Sequence, residues 1–172
     1  GRTITVDSVI GESGGTYGIT KNGDGALHLN ATNTFSGPVT VDAGTLGGTG
    51  SIGGNLVANA GAAVAPGTSI GTFSVGGDLD FQPGSDLLVE LGTDGTSDLL
   101  AVTGNLDLTG AAQRLYLLAP DGAPQLTSYT FLTAGTISGM FDEIYYDGVL
   151  VDVPFRTNGI GDAFKLQSTN GT

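Results

Sequence analysis

Short runs of alternating apolar and polar residues extend along the whole chain, and glycine-containing turns separate most of them. Alternation with a period of two places successive side chains on opposite faces of a strand. The runs predict strands at residues 26–29, 39–41, 55–58, 87–91, 115–118, 129–132, 149–153 and 163–166. No long stretch repeats its apolar positions with the 3.6-residue period of a helix, so we expect almost no helix.

One phrase recurs within this pattern: a glycine, one polar residue and a leucine, followed a few residues later by a turn glycine. The phrase starts at Gly54, Gly77 and Gly104, and a looser version starts at Gly37, so the interval between starts grows along the chain. The turn glycines that follow are Gly61, Gly84 and Gly110. An imperfect period of about 20–30 residues is typical of a solenoid, in which each coil stacks on the one before it.

The repeated unit contains only short strands, so a single unit leaves its inner face in water. Stacking one unit on the next buries that face and pairs each strand with its neighbours above and below. A sandwich needs longer strands and Greek-key turns, which this spacing does not provide. We therefore predict an all-β, right-handed parallel β-helix, with glycines at its corners supplying positive φ angles.

The composition changes near residue 110, and the change predicts two parts of one continuous solenoid. Residues 1–110 hold 24 of the 31 glycines, whereas residues 111–172 hold 8 of the 12 aromatic residues. We interpret the first part as thin coils and the second as bulkier coils with a C-terminal cap. A stack of strands needs such a cap, because its last strand otherwise exposes unpaired backbone groups. Residues 145–151, with an Asp-Gly turn, predict a β-hairpin in the cap.

Charge and cysteine content exclude several classes of function. The 172-residue chain has a net charge of −12, with 17 acidic and 5 basic residues. That balance excludes nucleic acid as a partner, because binding phosphate requires clustered Lys and Arg. The absence of cysteine excludes disulfides and cysteine-based metal sites. The chain starts at Gly1 without an initiator methionine, and we interpret it as a segment of a larger protein.

Residues 67–71 (GTSIG) fit the Gly-x-Ser-x-Gly pattern of a hydrolase nucleophile. That motif requires a following helix and a histidine base, but no helix is predicted after it. His28 is the single histidine, and its position in another coil argues against a role as the base. We interpret the motif as a turn and His28 as a surface residue, because His28 alternates with Leu27 and Leu29.

Two further motifs have a catalytic or metal-binding interpretation that we do not favour. Residues 22–25 (NGDG) resemble part of a calcium-binding repeat, but the pattern occurs once, so a turn is the better interpretation. Asp78 and Asp80 share a strand face, as do Asp86 and Glu90, and paired carboxylates can hydrolyse glycans. No clustered Lys or Arg accompanies them. We therefore assign no catalytic, cofactor-binding or metal-binding residue, and expect no cofactor and no enzyme.

Several segments of the sequence resemble those of a known protein family. The resemblance covers roughly residues 30–145 and is carried by four segments in the family's order, 33–46 (NTFSGPVTVDAGTL), 65–79 (APGTSIGTFSVGGDL), 97–104 (SDLLAVTG) and 129–135 (YTFLTAG), and by residues 139–142. Together they resemble the passenger domain of a monomeric-type bacterial autotransporter, a protein of type V secretion. The match is to the C-terminal part of that domain, called the autochaperone or junction region.

This resemblance implies a right-handed parallel β-helix at the cell surface or outer membrane of a Gram-negative bacterium, or released from it. Its partners would be the rest of its own passenger chain and a C-terminal β-barrel translocator. The implied function is a non-catalytic stem and folding nucleus that promotes folding and translocation of the passenger. The alternative is an adhesin segment that binds host or neighbouring-cell ligands directly. A third class, an enzyme acting on glycans, remains the least favoured.

Overall fold

The computed structural model describes residues 1–122, 128–151 and 162–167, and within these ranges it contains strands and no helix. The strands of the first half, in chain order, are β1 (Thr3–Val6), β2 (Ile19–Lys21), β3 (Ala26–Leu29), β4 (Val39–Val41), β5 (Gly44–Gly48), β6 (Ser51–Ile52), β7 (Leu56–Ala58), β8 (Ala62–Pro66) and β9 (Thr72–Val75). Those that follow are β10 (Leu79–Phe81), β11 (Asp86–Glu90), β12 (Leu99–Val102), β13 (Asn105–Leu108), β14 (Arg114–Leu118), β15 (Ser128–Ala134), β16 (Thr136–Gly139), β17 (Glu143–Tyr146), β18 (Val149–Leu150) and β19 (Asp162–Gln167).

The strands form three sheets that run along a common axis. Sheet A has the order β1-β3-β5-β8-β11-β14-β17-β18, sheet B the order β16-β13-β10-β7-β4-β2, and sheet C the order β19-β15-β12-β9-β6. From β4 to β17 the chain visits sheets B, A and C in turn, and each of these strands pairs in parallel with its equivalent one coil away. This arrangement confirms the predicted parallel β-helix.

The register of sheet B confirms that the recurring phrase marks successive coils. Val39 is paired with Leu56, Leu56 with Leu79, and Leu79 with Leu106. The sequence intervals between these partners equal the intervals between the phrase starts. The leucines point inward and are at most 1% exposed. The same row continues to Ile137 in the next coil, so the phrase is the sequence signature of one inward ladder.

The glycines that begin the phrase differ from our expectation. Of the three turn glycines, Gly61 and Gly84 have positive φ angles, of 77° and 81°, as predicted, whereas Gly110 does not. The phrase-starting glycines do not, and they are required for a different reason. A methyl group at Gly54 would overlap the carbonyl oxygen of Gly37 in the neighbouring coil, and one at Gly77 would overlap the Asn55 side chain. These positions are glycine because two coils approach closely there.

At the C-terminal end of the described chain, sheets A and C end in antiparallel strands, whereas sheet B ends in the parallel strand β16. Strands β17 and β18 form the predicted hairpin, in which Tyr145 pairs with Leu150 and Tyr146 with Val149. Its turn consists of Asp147 and Gly148, with φ angles of 46° and 80°. Strand β19, predicted at residues 163–166, pairs antiparallel with β15 and ends sheet C in the same way.

Parts of the predicted cap lie outside the described residues. The strand predicted at 149–153 is described through residue 151, and β18 ends at Leu150. Strand pairs such as β11–β14 and β13–β16 join the two parts of the chain across residue 110. The functional division into residues 1–110 and 111–172 stays a prediction.

The core is a set of stacked apolar rows enclosed by the three sheets. Aromatic side chains fill the core from β9 onward: Phe73, Phe81, Phe131 and Tyr129 are at most 2% exposed. In sheet A, Leu46 pairs with Val64 early in the stack, whereas Leu117 pairs with the more distant Tyr146 near its end. The coils therefore lengthen toward the C-terminus, and the aromatic residues occur where there is more interior to fill.

Candidate functional site

Two grooves on the outer surface were tested as functional sites. The groove on sheet B has a volume of about 360 Å³ and is lined by Asn55, Leu56, Val57, Asp78, Leu79, Asp80, Asn105 and Asp107. The groove on sheet A has a volume of about 150 Å³ and is lined by His28, Ala65, Pro66, Gly67, Thr68, Ser69, Leu88, Glu90, Asp98 and Leu118.

The polar side chains of the sheet B groove hold successive coils together. The amide N–H of Asp78 donates to Asn55 Oδ1 at 3.0 Å, and the amide N–H of Asn105 donates to Asp78 Oδ1 at 2.7 Å. The hydroxyl of Thr136 continues the series by donating to Asn105 Oδ1. Asp80 accepts a hydrogen bond from Gln82 Nε2 at 2.6 Å. Asp78 and Asp80 do share a groove, as their spacing predicted, but both have structural partners.

Asp86 and Glu90 also lie on the same outward face of their strand, but one of them has a basic partner that the sequence analysis did not identify. Arg114 lies directly beside Asp86 in the register of β11 and β14, and its Nε and Nη2 donate to the two carboxylate oxygens at 2.7 and 3.1 Å. The bond to Asp86 raises the pKa of Arg114. One arginine therefore accompanies Asp86, although it is a single residue and not a cluster of basic residues.

A pair of stacked tyrosines follows this ion pair along the outer face of sheet A. The rings of Tyr116 and Tyr145 are 4.8 Å apart and 12° from parallel. The guanidinium of Arg114 lies 6.0 Å from the Tyr116 ring centre. Tyr145 Oη donates to Glu143 Oε2 at 2.8 Å, and this hydrogen bond raises the pKa of Tyr145. Directly paired positions on adjacent strands bring these rings together.

The sheet A groove brings together residues that the sequence analysis placed apart. His28 does lie in another coil from Ser69, as expected, yet both line the same groove. The register explains the contact: His28 is paired with Gly47, and Gly47 is paired with Ala65, which lies shortly before Ser69 in the chain. Because Gly47 has no side chain and Ala65 a small one, the His28 ring and the Ser69 loop border the same space.

Asp98 is the most perturbed acidic residue beside this groove. It is 2% exposed, and its two carboxylate oxygens accept from the amide N–H groups of Gly71 at 2.9 Å and Glu90 at 2.8 Å. Burial raises the pKa of Asp98 to about 6, against the opposing effect of these two hydrogen bonds. Asp98 thus fixes the 67–71 loop to strand β11.

The geometry does not form a hydrolase triad. Both oxygens of Asp98 are occupied by backbone N–H groups, so Asp98 does not orient the His28 ring. Within the described residues, no hydrogen bond joins Ser69 to His28, and β9 rather than a helix follows the motif. The 67–71 segment is a turn between β8 and β9, as its interpretation predicted, with Gly67 at a φ of 82°.

The turn at residues 22–25 is bound by the side chain of the preceding residue, Lys21. Lys21 is 8% exposed, and its Nζ donates to the carbonyl oxygens of Gly23 at 2.6 Å and Ala43 at 2.9 Å. The ammonium group of Lys21 therefore already occupies a carbonyl oxygen of this turn. No group of three His, Asp or Glu side chains in the described ranges is arranged to hold a metal ion.

Sequence reasoning missed the two residues with the strongest local effect, Asp98 and Lys21. Both are charged residues at the end of a strand. At such positions, exposed charged residues are as common as buried ones. The available signal was that each adjoins an apolar or glycine-rich turn segment, but the alternation pattern alone does not show that the charge is buried.

Within the described residues, no helix is long and apolar enough to cross a membrane.

Comparisons with known proteins agree with the fold. Residues 19–47 match the model of the Passenger-associated-transport-repeat family. In the structure this segment runs from the first residue of β2 into β5 and so includes more than one full coil. The chain is also 31% identical, over 183 aligned residues, to a protein of Serratia marcescens named "Extracellular serine protease". The alignment covers 90% of this chain and 17% of that relative.

Proposed function

Because this chain is a fragment of an autotransporter passenger domain, we propose that it acts as the non-catalytic stem and folding nucleus of that passenger. In this role it folds before the coils that precede it in the sequence and then serves as the surface on which they assemble. It thereby promotes the folding and translocation of the passenger across the outer membrane.

The difference between the two ends of the stack is the observation that carries this proposal. At the C-terminal end, β18 and β19 close sheets A and C with antiparallel pairs. At the other end, no strand among the described residues pairs with the outer edge of β1. Ile4 of β1 is paired with Leu27 and belongs to the same inward-facing row, yet it is 63% exposed. Antiparallel closure of two of the three sheets disfavours addition of a parallel coil at the C-terminal end, so in this proposal further coils add at the β1 end.

Sequential addition also lowers the entropic cost of forming the passenger. Each new coil pairs with strands that are already ordered, so only one coil of about 20–30 residues must close at each step. A folded C-terminal segment outside the membrane would oppose backward movement of the chain, since domain stabilities are typically about 5–15 kcal/mol.

Passenger domains are exported, and we place this segment at the cell surface of a Gram-negative bacterium or outside the cell. Its partners in this proposal are the preceding part of its own passenger and the β-barrel translocator of the same protein. The chain spans 17% of the curated relative that it matches. The protease activity in that relative's name is therefore not transferred to this segment.

A deletion in the full-length protein tests the folding role. Removing residues 111–172 should leave less passenger at the surface and make the displayed passenger sensitive to added protease, because the capped coils are lost. A matched control removes a segment of similar length from an upstream part of the passenger. Unchanged display and unchanged protease resistance after the 111–172 deletion would refute the proposal.

The adhesin alternative has one observation in its favour, the groove on sheet A. This groove is lined by Glu90, His28 and Ser69, whose side chains do not join one coil to the next. The polar residues of the sheet B groove, in contrast, are hydrogen-bonded to one another. A ligand-binding role for this groove is compatible with the folding role, because it involves the outer face of sheet A and neither end of the stack.

A further inference from the structure

The groove on sheet A is created by the absence of side chains in one outward row. The row runs from His28 through Gly47 to Ala65, and Leu88 follows in the next coil, one residue after the pair of Val64 with Leu87. His28 and Leu88 project at either end, and the two small residues between them leave a depression of about 150 Å³. This volume suits one extended side chain better than a folded element.

The walls of the depression are apolar over much of their area. Ala65, Pro66, Leu88 and Leu118 line it, and Leu88 and Leu118 are half-buried. Pairing places Leu88 directly beside Tyr116, whose ring stacks on Tyr145 in the next coil. The groove therefore opens toward an apolar surface that continues along the same face of sheet A.

The charges in the groove are acidic and uncompensated. The Glu90 carboxylate has no hydrogen bond or ion pair with any described side chain, and its charge adds to the larger effect of burial in raising the pKa of the nearby Asp98. Of the Lys and Arg side chains that the structure describes, Arg114 is bound to Asp86 and Lys21 to backbone carbonyls. Arg2 does not line the groove either. A negative charge on an apolar wall is complementary to a cation carried on an apolar stem.

We propose that this groove binds a lysine or arginine side chain of a basic segment in a partner polypeptide. The aliphatic stem of that side chain packs between Leu88 and Leu118, and its cationic head donates to the Glu90 carboxylate. The exposed hydroxyls of Thr68 and Ser69, at the rim of the groove, accept further hydrogen bonds from the head group. Neighbouring residues of the segment contact the Tyr116 and Tyr145 rings.

Long-range attraction increases the rate at which a basic segment reaches this surface. The net charge of −12 draws cationic ligands toward the whole molecule, so attraction alone does not identify a site. Specificity must come from the groove, where the head group is partly shielded from water and the stem has apolar contacts. The test therefore separates the charge of Glu90 from the overall charge of the chain.

The experiment titrates the whole chain described above with a short arginine peptide while amide chemical shifts are recorded by NMR. The probe is acetyl-Ala-Ala-Arg-Ala-Ala-amide, and its control replaces arginine with citrulline, which is neutral and nearly the same shape. We expect saturable shifts at Ala65, Leu88, Glu90 and Leu118 with the arginine peptide and none with citrulline. Glu90→Gln should weaken binding by about tenfold, equivalent to about 1.4 kcal/mol.

Two further variants separate the groove from the net charge. Asp24→Asn removes one exposed negative charge outside the groove and should leave the affinity within about twofold, because screened charges contribute little at a distance. Ala65→Leu fills the groove without changing any charge and should abolish the shifts. Equal binding of the two peptides, equal losses in Glu90→Gln and Asp24→Asn, or shifts that map outside the groove would each overturn the proposal. Glu90 makes no side-chain hydrogen bond, so its variant keeps the fold even if Ala65→Leu does not.

Discussion

Glycine has two separate roles in this chain, and only one of them is the conformational role that the sequence suggested. Gly61 and Gly84 adopt positive φ angles in turns, whereas Gly54, Gly77 and Gly104 begin the recurring phrase where neighbouring coils are closest. The two kinds look alike in sequence because both adjoin short apolar runs. Only the distance to the next coil distinguishes them, and that distance is a property of the stack.

The same substitution at the two kinds of position should therefore have different effects. Gly61→Asn should cost less than about 1 kcal/mol, because Asn tolerates a positive φ and no atom lies within 4 Å of a Cβ there. Gly54→Asn should cost about 2–3 kcal/mol or more, because the new Cβ overlaps the Gly37 carbonyl oxygen. Urea denaturation of both variants measures the difference, and equal losses of stability would contradict this assignment.

Asp98 should make stability depend on pH in an unusual direction. Its pKa is raised from 3.8 to about 6 in the folded protein, so the folded state holds this proton more tightly than the unfolded chain. The stabilisation is fully present below about pH 4 and is lost as the pH rises through about 6. For Asp98 alone, the free energy of unfolding should fall by up to about 3 kcal/mol across this range.

Asp98→Asn isolates this effect from the other acidic residues, because asparagine does not titrate. The free energy of unfolding of the wild type minus that of the variant should fall by up to about 3 kcal/mol from pH 4 to pH 7. Denaturation midpoints of both proteins across this range measure the trend. A difference in stability that is constant with pH would show that Asp98 does not hold a proton preferentially in the folded state.

Some strands are predictable from their own residues, whereas others are strands because neighbouring coils pair with them. Strands such as β3, β11 and β14 have clear alternation, and they lie at or next to their predicted positions. Strand β5 (GTLGG) and strand β8 (AAVAP) have little intrinsic preference for a strand. They are strands because neighbours on both sides pair with them, which is information from adjacent coils rather than from their own residues.

The hairpin of β17 and β18 gives a specific prediction for the cap. Asp147 adopts a positive φ of 46° in the turn, and its Oδ1 accepts from the amide N–H of Ala119 at 2.9 Å. Asp147→Ala should cost about 1–2 kcal/mol, since it loses this hydrogen bond and tolerates the conformation poorly. Asp147→Asn should be nearly neutral because asparagine satisfies both requirements. Thermal denaturation compares the two, and equal losses would show that the turn does not stabilise the cap.

The molecule as a whole is a stack with unlike ends, and its coils become longer and more aromatic toward the capped end. Phe81 and Phe141 meet edge to face with ring centres 6.1 Å apart, and Tyr129 and Phe131 fill the last described coils. At the opposite end, Ile4 and Tyr17 are 63% and 58% exposed. More apolar area is buried per coil near the cap, so those coils should be the most stable when formed.

The sequence predicted this overall architecture because the intervals between the starts of the recurring phrase equal the sequence intervals between paired residues in sheet B. It did not predict the groove on sheet A, because His28, Ala65 and Glu90 come from three different coils. Their proximity depends on the register of sheet A, where the sequence intervals between paired residues are unequal from coil to coil and follow no fixed period. The local alternation of apolar and polar residues predicts on which face of its strand a residue lies. Only strand pairing determines which residues of adjacent coils are its neighbours.

Pulse-labelling hydrogen exchange during refolding tests the folding-nucleus proposal most directly. The purified segment is unfolded, diluted into refolding buffer and labelled after increasing delays, and protection is then measured for each strand. We predict that amides of β14, β15 and β17 become protected before those of β3, β4 and β5. Protection that begins in the N-terminal coils, or that appears in all strands at the same time, would contradict a nucleus at the capped end.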